Sequence, residues 1–244
     1  MKILGLQKTT LLDFPGQVAC TIFTGGCNFR CPFCHNSELF VPGEETPEEY
    51  TEEEIFSFLR KRKGVLTGVA ITGGEPTLQP DLMDFIRKVR DLGYLIKLDT
   101  NGYKPEVTEE IIKEKLADYI AMDIKSCREN YAKVAGTDSI DLSRIERSVN
   151  LLMERRVPYE FRTTVVKELH SKDDFAKIAE WLDGADAYFL QSFTDTGHVL
   201  KSGFSAYTQA EMAEFLPVLR KHIRSVHLRG IDYDEDKTVT ESEA

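Results

Sequence analysis

Residues 18–34 read VACTIFTGGCNFRCPFC, an apolar run that ends in two glycines and a cysteine-rich loop. The segment Val18–Phe23 is almost continuously apolar, which is typical of a strand buried on both faces of a parallel sheet. Three cysteines follow it with the spacing C-x3-C-x2-C, namely Cys27, Cys31 and Cys34. The sequence therefore predicts a group of thiols at the carboxyl end of a buried strand.

Three thiols in one short loop indicate a site for a soft metal, because thiolates favour zinc or iron-sulfur chemistry. A closed structural zinc site needs four protein ligands, and the other two cysteines, Cys20 and Cys127, stand alone. Three cysteines can instead hold three corners of a four-iron cluster and leave the fourth iron open to a ligand that is not protein. Two alternatives remain: a zinc site completed by the adjacent His35, and cysteines that are simply buried small apolar residues.

The rest of the chain repeats one order of elements, which is a short apolar strand, a polar loop and an amphipathic helix. Six strands are predicted, with a further terminal strand at 226–229: 18–23, 69–72, 94–98, 119–125, 159–166 and 187–193. Three helices are predicted to open with capping boxes, at Thr51–Glu54, Ser143–Glu146 and Thr208–Glu211. The alternation predicts an α/β fold, a partial (β/α)6 barrel with parallel strands and outer helices.

Polar motifs follow four of the predicted strands: the cysteine loop, Gly73–Pro76, Asp99–Gly102 and Asp123–Lys125. In parallel barrels, functional residues lie at the carboxyl ends of the strands, so these motifs are expected to share one edge. We expect one domain over residues 1–231 and an acidic, frayed tail over residues 232–244.

The spacing C-x3-C-x-aromatic-C, with Phe33 as the aromatic residue, resembles the signature of the radical S-adenosylmethionine (SAM) enzymes. Gly73-Gly74-Glu75-Pro76 resembles the second motif of that family. The resemblance implies a fold of the radical SAM type and one 4Fe-4S cluster held by Cys27, Cys31 and Cys34, with SAM at the open iron. One-electron cleavage of SAM would then give methionine and a 5′-deoxyadenosyl radical that abstracts hydrogen from a substrate.

The resemblance also implies a set of SAM-binding residues: Phe33, Gly73, Gly74, Glu75, Asp99, Asp123, Lys125, Arg162 and Thr164. Glu75 would accept a hydrogen bond from the methionyl ammonium, and Lys125 would reach the methionyl carboxylate. The two glycines would allow the backbone to approach the ligand, and Arg162 and Thr164 would lie near the ribose and adenine. Phe33 is either a partner for adenine or a core aromatic residue. A monovalent cation is expected near four residues: Asp99, Thr100, Met122 and Asp123.

Two further segments, Cys34-His35-Asn36 and Thr9–Gly16, resemble the activating proteins of glycyl radical enzymes, most closely those of anaerobic ribonucleotide reductase. This implies a glycyl radical enzyme as partner, and reduced flavodoxin or ferredoxin as electron donor. His35 and Asn36 are either hydrogen-bond donors to cluster sulfur or a turn after the loop. Gln191-Ser192-Phe193 stands where pyruvate formate-lyase activases carry a histidine, which weakens assignment to that particular activase.

Two other functions remain open: a radical enzyme for a small molecule, similar to the carboxy-deazaguanine synthases, and an iron-sulfur electron-transfer protein without SAM. The net charge of -10 argues against binding to nucleic acid or an anionic membrane. No apolar run approaches the roughly 20 residues that span a bilayer, so a cytoplasmic protein is expected. The other four histidines lack metal-like spacing and are expected to be surface or core residues: His170, His198, His222 and His227.

Overall fold

The computed structural model describes residues 1–40, 49–195, 197 and 199–231. The predicted tail at 232–244 and His198 lie outside the described residues. Among those described, no helix is long and apolar enough to cross a membrane.

One sheet of eight strands follows the order of the chain: β1 (Ile3–Thr10), β2 (Ala19–Thr24), β3 (Gly68–Gly73), β4 (Leu95–Thr100), β5 (Tyr119–Asp123), β6 (Tyr159–Val165), β7 (Ala187–Ser192) and β8 (Ser225–Arg229). β1 pairs with β2 in the antiparallel direction, and all later neighbours are parallel. No pairing joins β8 to β1 in the described part of the chain. The sheet is therefore a partial α/β barrel, as predicted. β8 is the predicted terminal strand, and β1 is additional.

Eight α-helices connect or follow the strands within the described ranges: α1 (Glu52–Lys61), α2 (Leu82–Asp91), α3 (Pro105–Lys113), α4 (Tyr131–Ala135), α5 (Leu142–Met153), α6 (Lys172–Trp181), α7 (Gln209–Ala213) and α8 (Leu216–Leu219). Short 3-10 helices lie at Ser37–Leu39, Pro76–Leu78 and Arg128–Asn130. The capping box Thr51–Glu54 opens α1, and Thr208–Glu211 opens α7, as the sequence predicts.

The two faces of the parallel strands have different environments because successive side chains point to opposite sides. Alternate residues such as Ile96, Leu98 and Phe161 are fully buried in one apolar core with the helices. The residues between them, such as Asp99 and Arg162, face a polar cavity inside the barrel. This alternation places the carboxyl-end motifs of several strands around one space.

The structure differs from the sequence prediction at three places. β1 is not predicted, because its middle residues Gln7–Thr9 are exposed and its register with β2 shifts twice. Ser143–Glu146 is not the cap of α5: the Asp141 side chain accepts a hydrogen bond from the Ser143 backbone N–H instead. The predicted last helix is two short helices, since Pro217 lacks the N–H that a continuous helix would use.

Candidate active site

A cavity of about 310 Å³ opens at the carboxyl ends of the strands. This volume lies within the range of ~300–1,000 Å³ that is usual for small-molecule sites. The lining includes all twelve residues predicted for the cluster and for SAM: Cys27, Cys31, Phe33, Cys34, Gly73, Gly74, Glu75, Asp99, Asp123, Lys125, Arg162 and Thr164. The structure therefore brings these separate motifs together around one space.

The cysteine loop follows β2 and forms one wall of the cavity. Backbone hydrogen bonds fix it, including one from Cys34 N to Cys31 O at 3.1 Å and one from Gly26 N to Leu39 O at 2.9 Å. All three thiols are free. Burial raises the pKa of Cys27 to about 11 and that of Cys31 to about 12, so a metal must displace protons from these thiols when it binds.

Gly73 and Gly74 have a packing role in this wall in addition to the predicted approach to a ligand, which stays a prediction. A side chain at Gly74 would collide with the carbonyl oxygen of Gly26, and one at Gly73 with the backbone of Thr24. Gly73 also has φ +114°, a conformation that favours glycine. The close backbone approach seen here is therefore between the end of β3 and the start of the cysteine loop.

Glu75 is buried and forms the hub of a hydrogen-bond network. Its Oε2 accepts a hydrogen bond from Asn101 N at 2.7 Å, and its Oε1 accepts one from Thr100 Oγ1 at 2.8 Å and others from Thr77. No cation pairs with Glu75 among the described residues, and burial raises the pKa of its carboxyl group. Because Oε2 accepts one hydrogen bond from the described residues, it retains a lone pair for another donor.

Five charged side chains form a continuous network, which we call the cation chain: Lys97, Asp99, Arg162, Asp123 and Lys125. Arg162 bridges the two carboxylates, with Nη2 at 3.0 Å from Asp99 and Nε at 2.6 Å from Asp123. Lys97 pairs with Asp99, and Lys125 Nζ lies 2.9 Å from Asp123. Three cations and two carboxylates leave one excess positive charge.

The cation chain sets the ionisation of its two carboxylates. Burial alone would raise the pKa of Asp123, but Arg162 and Lys125 more than offset this and hold the pKa well below its usual range. The same balance, with Arg162 and Lys97 as the cations, lowers the pKa of Asp99. Both carboxylates are therefore ionised at neutral pH and neutralise part of the positive charge in the cavity.

Lys97 is a member of this chain that the motif comparison does not include. Its side chain is only 1% exposed. Lys97 lies two residues before Asp99 on β4, and side chains two residues apart on a strand lie on the same face. The spacing of Lys97 and Asp99 in the sequence could therefore have predicted this contact. Asn101 lies within the predicted motif at 99–102 but was given no role of its own. Its Nδ2 donates to Asn28 Oδ1 at 2.8 Å and lies 3.9 Å from Cys27 Sγ.

Of the aromatic and histidine residues considered in the sequence analysis, Phe33 lines the cavity, whereas His170 and His222 do not. Phe33 is 5% exposed and packs edge-on against His170, while one side of it lines the cavity. His170 is a buried core residue, and its Nε2 lies 2.8 Å from Lys125 O. His222 pairs with Asp183 on the outside of the barrel.

His35 and Asn36 occupy different environments after the cysteine loop. His35 stacks on Phe193 and lines the cavity, and Asn36 Nδ2 donates to Gly73 O at 3.4 Å, which ties the loop to β3. Gln191, from the segment that replaces the histidine of other activases, also lines the cavity.

The residues around the thiols fit a sulfide-bearing cluster. Buried Asn28 Nδ2 and His35 Nδ1, each next to a predicted cysteine ligand, have no hydrogen-bond partner among the described residues. Cluster sulfides are acceptors for such donors. Within the described ranges, no three His, Cys, Asp or Glu side chains are placed to hold one metal ion.

A sequence profile of the Radical SAM superfamily matches residues 21–182. A Methanocaldococcus jannaschii protein named "Putative glycyl-radical enzyme activating enzyme" is 32% identical over 238 residues, which cover 93% of this chain and 95% of that protein. The pyruvate formate-lyase-activating enzyme of Clostridium pasteurianum is 33% identical over 129 residues, which cover 51% of this chain and 52% of that enzyme.

Solved structures share the fold. Streptococcus suis SuiB bound to the precursor peptide SuiA matches with a TM-score of 0.69 and 16% identity, over 87% of this chain and 48% of SuiB. This chain thus spans about half the length of SuiB. Escherichia coli QueE matches with a TM-score of 0.55 and 16% identity, over 93% of each chain. At these identities the likeness concerns the fold alone.

The profile covers most of the chain, and the relative from Methanocaldococcus jannaschii matches nearly its full length. Membership in this superfamily implies a 4Fe-4S cluster and SAM as cofactors. The chain belongs to the radical SAM superfamily and resembles its glycyl-radical-enzyme activating proteins.

Proposed function

We propose that this protein holds one 4Fe-4S cluster through Cys27, Cys31 and Cys34, cleaves SAM reductively, and generates a glycyl radical on a partner enzyme. The partner is anaerobic ribonucleotide reductase, and the electron donor is reduced flavodoxin or ferredoxin. The near full-length similarity to a protein named for glycyl-radical enzyme activation supports the reaction class. The segments Thr9–Gly16 and Cys34–Asn36 support the choice of partner through their resemblance to activases of that reductase.

The charge pattern of the cavity is the observation that carries the SAM proposal. The buried carboxylate of Glu75 has no cationic partner among the described residues. The cation chain has one positive charge in excess, and its members Lys125 and Arg162 line the same cavity as Glu75. The methionyl end of SAM carries an ammonium and a carboxylate, and each would meet the opposite charge in this cavity.

The residues of this chain would position the reactants and exclude water. Glu75 would accept a hydrogen bond from the ligand ammonium, and Lys125 would bind the ligand carboxylate. Arg162 and Thr164 would lie near the ribose and adenine, and Phe33 would provide an apolar wall. When bound, the cluster supplies the electron that reduces SAM, which leads to hydrogen abstraction from the partner's glycine.

The predicted monovalent cation would belong to the same site, near Asp99, Thr100, Met122 and Asp123. Both carboxylates are paired with cations of the protein itself. A bound cation would therefore share them with Lys97, Arg162 and Lys125. Comparing SAM affinity in potassium and in tetramethylammonium salts tests this part of the proposal.

The experiment is anaerobic reconstitution with iron and sulfide, reduction with dithionite, and assay of SAM for conversion to 5′-deoxyadenosine and methionine. We expect cleavage, and we expect Glu75→Gln and Lys125→Ala to keep the iron while weakening SAM binding at least tenfold, as loss of a charge-assisted hydrogen bond does. Unchanged SAM affinity in both variants would contradict the assignment of the cavity.

The partner is tested by adding purified anaerobic ribonucleotide reductase and, in parallel, pyruvate formate-lyase. We expect the electron paramagnetic resonance signal of a glycyl radical with the reductase only. A signal with pyruvate formate-lyase alone would support glycyl radical formation as the reaction but would contradict the choice of anaerobic ribonucleotide reductase as the partner. Cleavage of SAM with neither signal would favour a small-molecule substrate, and no cleavage by a loaded, reduced protein would favour electron transfer without SAM.

A further inference from the structure

A second depression lies on the outside of the barrel, against the outer side of the cysteine loop. It is more open than the central cavity and shares no lining residue with it. We call it the basic depression, and it is lined by eight residues: Arg30, Pro32, Lys133, Gly136, Thr137, Asp138, Leu200 and Lys201.

The walls of the basic depression are fastened directly to the cysteine loop. Arg30 N donates to Ala135 O at 2.9 Å, and Lys201 N donates to Pro32 O at 2.8 Å. Gly136 ends α4 with φ +68°, and a side chain there would collide with Arg30 O. The segments that carry Lys133 and Lys201 are therefore held in a fixed position relative to the loop.

The cysteine loop contributes residues to both cavities. Arg30 and Pro32 line the basic depression, while Cys31 between them is buried and lines the central cavity. A protein seated in the depression would thus contact the two residues that flank a predicted cluster ligand.

The depression is positively charged on a protein that is acidic overall. Its lining has three exposed cations and one carboxylate, namely Arg30, Lys133, Lys201 and Asp138. The net charge of the lining is therefore +2. Lys133 and Lys201 have no ion-pair partner in the described part of the chain. Arg30 is held against the loop by hydrogen bonds to Cys27 O at 2.6 Å and Phe29 O at 2.8 Å. The whole chain carries a net charge of -10.

We propose that the basic depression is the docking site of an acidic one-electron carrier protein that reduces the cluster. This inference rests on the proposed function, since it needs a cluster at Cys31. Electron transfer slows steeply with distance, so a carrier must approach close to a cluster ligand. The depression allows this next to Cys31, between Arg30 and Pro32, without entry into the central cavity. An acidic carrier is repelled by the protein as a whole, and a local basic surface both attracts and orients it.

The redox step is balanced by these two partners. The carrier loses one electron and is oxidised, the cluster gains that electron and is reduced, and no covalent bond forms or breaks. The depression lies outside the barrel, so the carrier leaves the central cavity open for the substrate.

The test uses the reconstituted holoenzyme and flavodoxin hydroquinone as the probe, with bleaching of the cluster absorbance followed by stopped flow. We expect the double variant Lys133→Glu, Lys201→Glu to lower the second-order rate constant at low salt by about tenfold or more. The difference should shrink as salt rises, because screening weakens the attraction. The milder variant Lys133→Ser, Lys201→Ser should give an intermediate rate.

The matched control is Lys63→Glu, Lys221→Glu, which changes the net charge equally at exposed lysines that line neither cavity and precede β3 and β8. Equal rates for the depression variant and this control would overturn the proposal. The proposal would also be overturned if inorganic phosphate slowed reduction by flavodoxin more than chloride does at the same ionic strength. That result would indicate a site for a small anion.

Two measurements separate this inference from the proposed function. Reduction and SAM cleavage driven by dithionite should be the same in wild type and the depression variant, because dithionite needs no protein docking site. Binding of oxidised flavodoxin to the protein, followed by flavin fluorescence, should weaken in the depression variant whether or not SAM is cleaved. Wild-type binding and rates in the depression variant would refute the docking site while leaving the proposed function intact.

Discussion

The two faces of β4 show how this fold separates stability from chemistry. Ile96 and Leu98 are fully buried against the helices. Lys97 and Asp99 alternate with them on the inner face, where Asp99 lines the cavity and pairs with Lys97. Each buried leucine or isoleucine side chain contributes about 1.5–3 kcal/mol to folding. The outer face is therefore stabilising, and the inner face is where charges are removed from water.

Burial of the cation chain is costly for folding. A buried ion pair gains Coulomb energy but loses hydration, and it is frequently no more stabilising than apolar residues of the same volume. The cation chain extends along three strands, and four of its five side chains line the cavity, including the cations Lys125 and Arg162. We infer that the inner face is organised for binding an anionic group, while the outer face carries the stability.

The largest effect is expected from a comparison of Cys31, which lines the cavity, with Cys20, which does not. Cys31→Ala should abolish assembly of the four-iron cluster, because it removes one of three predicted ligands. Cys20→Ala should leave the iron content unchanged, since Cys20 is buried in the apolar core and does not line the cavity. Iron analysis and visible absorbance after reconstitution measure both. A complete cluster in Cys31→Ala would refute the ligand assignment.

On the inner face of β4, Asp99→Asn should lower the free energy of unfolding by about 3–5 kcal/mol. The change removes the partner of Lys97, whose side chain is 1% exposed, and one of the two carboxylates that Arg162 bridges. Urea denaturation of the apoprotein measures the loss. Adding Lys97→Met to Asp99→Asn should recover about 1 kcal/mol or more, because the uncompensated charge is gone. Strict additivity of the two changes would show that this pair is not coupled.

On the outer face of the same strand, Leu98→Ala should cost about 2–5 kcal/mol through the cavity it leaves in the core. The measurement is again urea denaturation of the apoprotein. The reconstituted Leu98→Ala protein should nevertheless bind SAM with wild-type affinity at a temperature where it is folded, because Leu98 does not line the cavity. Loss of SAM affinity in folded Leu98→Ala would mean that the two faces are not independent.

A smaller effect, dependent on pH, is expected at Asp174, a buried carboxylate held by neutral donors rather than by cations. Burial would raise its pKa, but hydrogen bonds from Ser171, Cys127 and Asn130 more than offset this and hold the pKa at about 2. A lowered pKa stabilises the fold above the unfolded-state pKa of ~3.9, and this stabilisation is lost as pH falls toward 2. Asp174→Asn should therefore cost about 2 kcal/mol at pH 6.

Urea denaturation at several pH values measures this difference between wild type and Asp174→Asn. The difference should narrow steadily below pH 4, since only the wild type loses this contribution. A difference that stays constant from pH 6 to pH 3 would show that the ionisation of Asp174 does not contribute.

The sequence predicted the features that depend on local pattern. The apolar runs located β2 to β7, and the cysteine loop and Gly73–Pro76 fell at the ends of two strands. β1 was not predicted because its residues 7–9 are exposed, so its sequence lacks the apolar run of a buried strand. The Ser143–Glu146 cap was wrong because Asp141, two residues earlier, is an equally good capping residue.

The connections between strands could not be predicted from local pattern. Arg162 bridges Asp99 and Asp123 because of the register of three strands, in which Asp123 pairs with Arg162 and Asp99 with Ala121. No spacing within a single motif reveals that bridge. The glycines were located correctly, but their contact with the backbone of Gly26 and Thr24 required the relative position of β2 and β3.

Each strand from β2 to β8 pairs with the strand immediately before it in the chain. During synthesis, a strand that leaves the ribosome therefore finds its partner already made, so the sheet can grow vectorially from its amino-terminal end. Asp99 and Asp123 are translated well before Arg162, the cation that joins them. We expect a nascent chain that ends before β6 to have most of its sheet but no mature binding site, so that cofactor loading follows the synthesis of β6.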